Sequence, residues 1–164
     1  MWYGGRDMEV ALKQKGLTLV ELIVVIAILG IIAAIAYPSY KNAGQKTKRV
    51  EVQTELVNIA GQLQRFKMAN YSFTPNGTAV TLANLGYTVN ASGEYSFAPN
   101  QQATYIITLN AVTANTWRLS ARPVGGQLGN GYLGLNQADM RCWSSSDVMW
   151  CDPNSSTSWT KQSP

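Results

Sequence analysis

From Leu17 to Tyr37 the chain carries a single charge, Glu21, in an otherwise apolar run. A helix over that run rises about 1.5 Å per residue and is roughly 31 Å long. That length matches the ~30 Å hydrocarbon core of a bilayer. A carboxylate inside such a helix is unfavourable by about 2.5–3.5 kcal/mol on insertion scales, so it calls for a partner. An ordinary secretory signal would place a small-residue cleavage site after a short apolar core. Here a charged leader, with Lys13 and Lys15, precedes the run. A plain signal anchor with a tolerated acid is the simplest alternative.

The order of residues carries more. Lys15-Gly16 is followed by Leu17-Thr18-Leu19-Val20-Glu21, then by the apolar run, then by Tyr37-Pro38-Ser39-Tyr40. This resembles the N-terminus of type IV pilins with their class III leader peptide, a signature shared with pseudopilins. The resemblance implies that residues 1–16 are a cleaved leader. A prepilin peptidase would cut between Gly16 and Leu17 and N-methylate Leu17. Most members begin with Phe, whereas this chain has Leu17. Met8 opens a stretch of more usual leader length, MEVALKQKG, and is the expected natural start. Lys13 and Lys15 then lie on the cytoplasmic side, in keeping with the positive-inside tendency.

Physical chemistry gives the cut a consequence. The new α-amino group has a reference pKa near 7.7–8.0 and is largely protonated at neutral pH. A cation beside Glu21 offsets the burial of either charge alone. In a filament, Glu21 of one subunit can pair with the Leu17 ammonium of a neighbour and set the axial register. The implied partners are other pilin subunits, the prepilin peptidase, an inner-membrane assembly platform and, before assembly, the bacterial inner membrane. The C-terminal domain is expected to be periplasmic until the subunit reaches the pilus at the cell surface. Adhesion, twitching motility or DNA uptake would belong to the fibre. TKRVEVQTELVNIAGQLQRF, TWRLSARP, GNGYLGLN and RCW look more like a minor than a major pilin.

With 164 residues there is room for one globular domain beyond the anchor. Residues 17–45 are expected to form the membrane or filament-core helix and 46–164 the globular domain. Only 13% of residues are charged and the net charge is +4. Removal of residues 1–16 takes away three bases (Arg6, Lys13, Lys15) and two acids (Asp7, Glu9), leaving +3. That is too mild to imply nucleic acid from charge alone. The absence of histidine weakens metal and acid–base schemes at neutral pH. No nucleophile–base pair, Gly-rich phosphate loop or carboxylate pair is legible, so no enzyme, catalytic residue, metal site or cofactor is expected.

Pro38 removes a backbone donor and is expected to bend the helix. Val52, Leu56, Ile59, Leu63 and Phe66 recur at spacings of four, three, four and three, an apolar stripe at helical period running to about Asn70. Residues 71 to about 100 read as a loop, with a turn at Pro75-Asn76-Gly77 and a helical turn near Leu82–Leu85. Period-two alternation then predicts strands around Tyr105–Asn110 and Trp117–Arg122, the latter broken at Pro123, with further strands near Tyr132–Asn136 and Met140–Trp143. The expected fold is α+β: one long N-terminal helix and a roughly four-stranded antiparallel sheet.

Cys142 and Cys151 are the only cysteines. An oxidising periplasm makes a disulfide the expected state, closing a C-terminal loop and contributing about 2–3 kcal/mol by chain entropy. Type IV pilins often staple such a loop, so the resemblance agrees. Free thiols or half a metal site are the alternatives. Arg141, Trp143, Trp150, Trp159 and Lys161 surround the pair. Aromatics with bases can hold nucleic acid by stacking and phosphate contacts, and some relatives of type IV pilins are DNA receptors for natural transformation. Asp139, Asp147 and Asp152 offset those bases, and the tryptophans could equally pack the loop down. A DNA-binding competence pilin is therefore one alternative. A type II secretion pseudopilin is the other, although major pseudopilins tend to carry an acidic calcium loop and no disulfide.

Overall fold

The computed structural model describes residues 18–144 and Trp159. The chain divides into two compact units, with the boundary after Lys41.

The first unit holds the start of α1 (Leu19–Asn70). Thr18 caps it: its Oγ1 accepts from the Glu21 amide at 3.2 Å, and its carbonyl accepts from the Leu22 amide at 3.2 Å. That satisfies one of the donors that every helix N-terminus leaves open. Beyond the cap the side chains of this unit are exposed on all sides, apolar residues included. α1 is long and apolar enough here to cross a membrane. Pro38 lies inside α1, which remains helical on both sides of it.

The second unit begins with the rest of α1. Val52, Leu56, Ile59 and Leu63 are fully buried, so the period seen in the sequence is the core-facing stripe. The sheet that covers it has five strands in the order β1 (Tyr95–Phe97), β2 (Tyr105–Asn110), β3 (Arg118–Pro123), β4 (Tyr132–Asn136) and β5 (Arg141–Ser144). Every neighbouring pair is antiparallel. Registers Ile107↔Ala121, Ala121↔Leu133 and Leu133↔Trp143 run across one face, and Leu109↔Leu119, Leu119↔Leu135 and Leu135↔Arg141 run beside them. Alternation puts these residues on the helix side, and all of them except Arg141 belong to the core cluster or pack against it.

The expected four strands become five because β1 lies in the stretch read as a loop. It is three residues long, too short to show a period, and is held by β2 and by an isolated bridge from Val89 to Tyr95. Pro123 is the last residue of β3, opposite Tyr105. Pro75–Gly77 and Ala83–Leu85 form the two short 3₁₀ turns anticipated from their sequences. Phe73, fully buried, meets Trp117 edge-on at 6.5 Å and closes the core beside the end of α1.

Candidate functional site

Three places carry chemistry that the core does not require. The first is the start of α1. Thr18 and Glu21 stand at the spacing of a capping box, in which the first residue accepts a backbone N–H of the third helical position. Glu21 is the acid of the first turn, where the helix dipole favours a negative group. The T-x-x-E spacing of Thr18 and Glu21 is the signal by which the sequence marks this cap. Gly16 and Leu17 lie outside the described residues.

The second is the edge of the sheet around β5. Arg141 and Trp143 point to the same face of the strand. Arg141 grips Asp139 through two contacts of 2.9 Å from Nη2 and one of 3.2 Å from Nε, and its guanidinium lies 5.9 Å from the ring centre of Trp159. Trp143 donates Nε1–H to the Asn130 carbonyl at 3.0 Å, while the Arg49 guanidinium lies over its ring at 4.3 Å. Arg49 also donates to Asn130 Oδ1. The Asn130 amide nitrogen in turn donates to the Gln45 carbonyl at 2.8 Å and to Gln127 Oε1 at 2.7 Å. Gly131, at φ +89°, gives the indole its space: an added Cβ would fall 2.2 Å from Trp143 Nε1. The structure thus brings Arg141, Trp143 and Trp159 into one neighbourhood, but Trp143 has one ring face and its N–H engaged and Arg141 has a carboxylate partner. Cys142 is buried on the opposite face of β5, beside Gly134. Its expected partner Cys151, with Trp150 and Lys161, lies outside the described residues. No sequence signal links Arg49, Asn130 and Trp143, because their separation along the chain hides the contact.

The third is the C-terminal end of α1. Tyr71, directly after the helix, has φ +59° and is 90% exposed. Glycine usually fills that position, since a Cβ there meets the backbone. The Lys67 ammonium donates to Asn115 Oδ1 at 3.0 Å and lies 5.0 Å from the Phe73 ring centre. Met68 is exposed in the last turn, whereas Arg65 shares a face with Glu55, Asn58 and Tyr87. Between Glu55 and Glu94 the sequence holds no acid.

Glu94 is held below the usual carboxylate range, chiefly by the Asn90 amide and also by Arg122, which sits at 3.5 Å. Tyr87, packed on Tyr95 at 4.8 Å, accepts from Gln62 at 3.0 Å. Burial, then the charge of Glu55, pushes its hydroxyl up to about 12. Burial and Glu55 also raise Tyr95. Tyr105 is pushed up to about 12 by burial, against a smaller opposing effect of Arg49. Its hydroxyl has no hydrogen-bond partner of normal geometry, although Asn130 lies near enough to ease its ionisation slightly.

Comparison with known proteins adds to this geometry. A family model described as type IV minor pilin ComP, DNA uptake sequence receptor, matches residues 38–134. A second model, the prokaryotic N-terminal methylation motif, matches residues 12–37. The type II secretion system core protein G of Klebsiella pneumoniae is 37% identical over 67 residues, 40% of this chain and 48% of that protein. The type IV major alpha-pilin of Moraxella bovis is 54% identical over 43 residues, 26% of this chain and 27% of that pilin. The fimbrial protein EcpC of Eikenella corrodens is 35% identical over 82 residues, 50% of each chain. The chain therefore spans half the length or less of these relatives. No solved structure matches it.

Proposed function

We propose a function from one premise: the chain belongs to the type IV minor pilin ComP family, and within that family it is a fibre subunit that also receives DNA. The family is one of structural subunits. The methylation motif and the apolar half of α1 give membrane anchoring before assembly. The finer steps are our reading. The leader is cut after Gly16, Leu17 is methylated, and the globular unit waits in the periplasm. An assembly platform then lifts the subunit from the inner membrane, and α1, bent at Pro38 where the Ala34 carbonyl loses its donor, packs among other subunits. Glu21 pairs with the terminal ammonium of a neighbour. A Cys142–Cys151 bridge closes the C-terminal loop.

The observation that carries the DNA part is the match of the globular residues to a family described as a DNA uptake sequence receptor. The sequence supports it: between Leu56 and Ala138 the cations Arg65, Lys67, Arg118 and Arg122 face a single acid, Glu94. Arg141, Trp143, Trp150, Trp159 and Lys161 are a second possible set of contacts. Of these, Trp143 contributes through its packing with Arg49. The likeness to core protein G covers 67 residues, 40% of this chain, whereas the minor-pilin model matches residues 38–134, so the secretion reading is not favoured.

Two measurements test this. Mass analysis of the exported protein should find N-methyl-leucine at residue 17; a different mature terminus would remove the pilin assembly scheme. Mobility of labelled DNA with the full mature chain in detergent micelles should fall in a salt-dependent way. No retardation at physiological ionic strength would remove the DNA part and leave the fibre subunit standing.

A further inference from the structure

We infer that Tyr71 is a stacking platform for an unpaired DNA base, with Lys67 beside it as the phosphate contact. The inference rests on the DNA-binding reading above and assigns it a place in the fold.

Tyr71 holds, at the turn that leads from the helix end to the buried Phe73, a backbone conformation that glycine takes at less cost. It holds φ +59°, where a bulky residue is an outlier, yet the residue is 90% exposed. The turn needs the backbone but not the ring, and Asn70 Nδ2 donates to the Phe66 carbonyl at 2.9 Å without it. Strain retained at an exposed side chain is a reason to look for a ligand. A tyrosine ring on a fixed backbone offers a flat face at little entropic cost, and every base has a face to set against it.

The surroundings select the ligand. Lys67 is oriented by two neutral groups, the Asn115 amide oxygen and the Phe73 ring, so its charge is placed but not cancelled. The adjoining turn, Thr113 to Thr116, is locked by its own hydrogen bonds and contains no acid. An exposed aromatic, a placed cation in the preceding helical turn and no acid between Glu55 and Glu94 suit a partner that is both anionic and aromatic. Closed duplex DNA hides its base faces, so the platform fits single strands and frayed or open ends.

The test uses the full mature chain in detergent micelles, with a labelled single-stranded oligonucleotide and the same sequence closed into a hairpin duplex, read by fluorescence anisotropy at two salt concentrations. Tyr71→Gly should melt higher than wild type, because glycine takes φ +59° freely, yet bind the single strand about tenfold or more weakly. Tyr71→Phe should bind as wild type. Lys67→Gln should reduce the salt slope on the single strand by about 0.7, whereas Tyr71→Gly should leave the slope unchanged. Wild-type affinity in Tyr71→Gly, or a wild-type chain that binds the hairpin but not the single strand, would overturn the inference and leave the DNA reading intact. An unchanged slope in Lys67→Gln would remove Lys67 from it. Failure of the wild type to bind either probe would overturn both readings.

Discussion

Gly131 shows how much one residue decides. Its φ of +89° and the approach of the Trp143 indole leave no volume for a side chain. Gly131→Ala would push Trp143 off the Asn130 carbonyl and loosen the Arg49 contact on its other side. A loss of about 1–3 kcal/mol is expected, read as a lower midpoint in chemical denaturation; an unchanged midpoint would mean that the indole is not held there. Glu21 is the residue-scale question at the other end. Its charge and its place after Thr18 are separable, because glutamine also completes a capping box. Glu21→Ala and Glu21→Gln should both be processed and methylated, and both should enter fibres several-fold less than wild type. Normal incorporation of Glu21→Gln, with a defect in Glu21→Ala alone, would assign the residue to helix capping rather than to a charge pair.

At the scale of elements, α1 has two jobs divided along its length. Before the unit boundary it is apolar on every side and exposed; after Asn42 it is amphipathic, with one stripe in the core. Leu63→Ala should destabilise the globular unit by about 2–5 kcal/mol, since a fully buried leucine leaves a cavity against the sheet. Val57→Ala, on the exposed side at 44% accessibility, should change stability by less than about 0.5 kcal/mol. Equal effects in thermal melts would refute the stripe as the packing surface. The stripe was legible because four-three spacing is a property of the chain alone. β1 was not: Tyr95 to Phe97 joins the sheet because β2 presents an open edge, and three residues carry no period of their own.

For the whole molecule, pH is a direct probe. Tyrosine ionises near 10 in an unfolded chain, while Tyr87 and Tyr105 are held up to about 12 and Tyr95 is raised as well. The folded state therefore keeps protons that the unfolded state gives up. The resulting stability is full below pH 10 and is lost as pH rises toward 12. The melting temperature should fall through that window, and Tyr105→Phe should flatten the fall while leaving stability at pH 7 nearly unchanged, because that hydroxyl has no good partner. A flat profile from pH 10 to 12 would show that these rings ionise as freely as in the unfolded chain. Reduction is the second whole-molecule probe: if Cys142 and Cys151 are joined, a reductant should lower stability by about 2–3 kcal/mol, and an unchanged melt would argue against the bridge.

The sequence by itself determined the apolar helix, its lone acid, the core stripe and the alternating strands, because each is a local periodicity or a hydropathy that any fold must respect. The resemblance at residues 15–40 rested on the same local order. Only the tertiary structure decided the rest. It put Arg49 over Trp143, drew Arg141 to Trp159, added β1 as the outer strand, and turned Lys67 to Asn115. Those outcomes depend on which distant segments meet, and pairing between segments is fixed by packing and register rather than by the composition of either one.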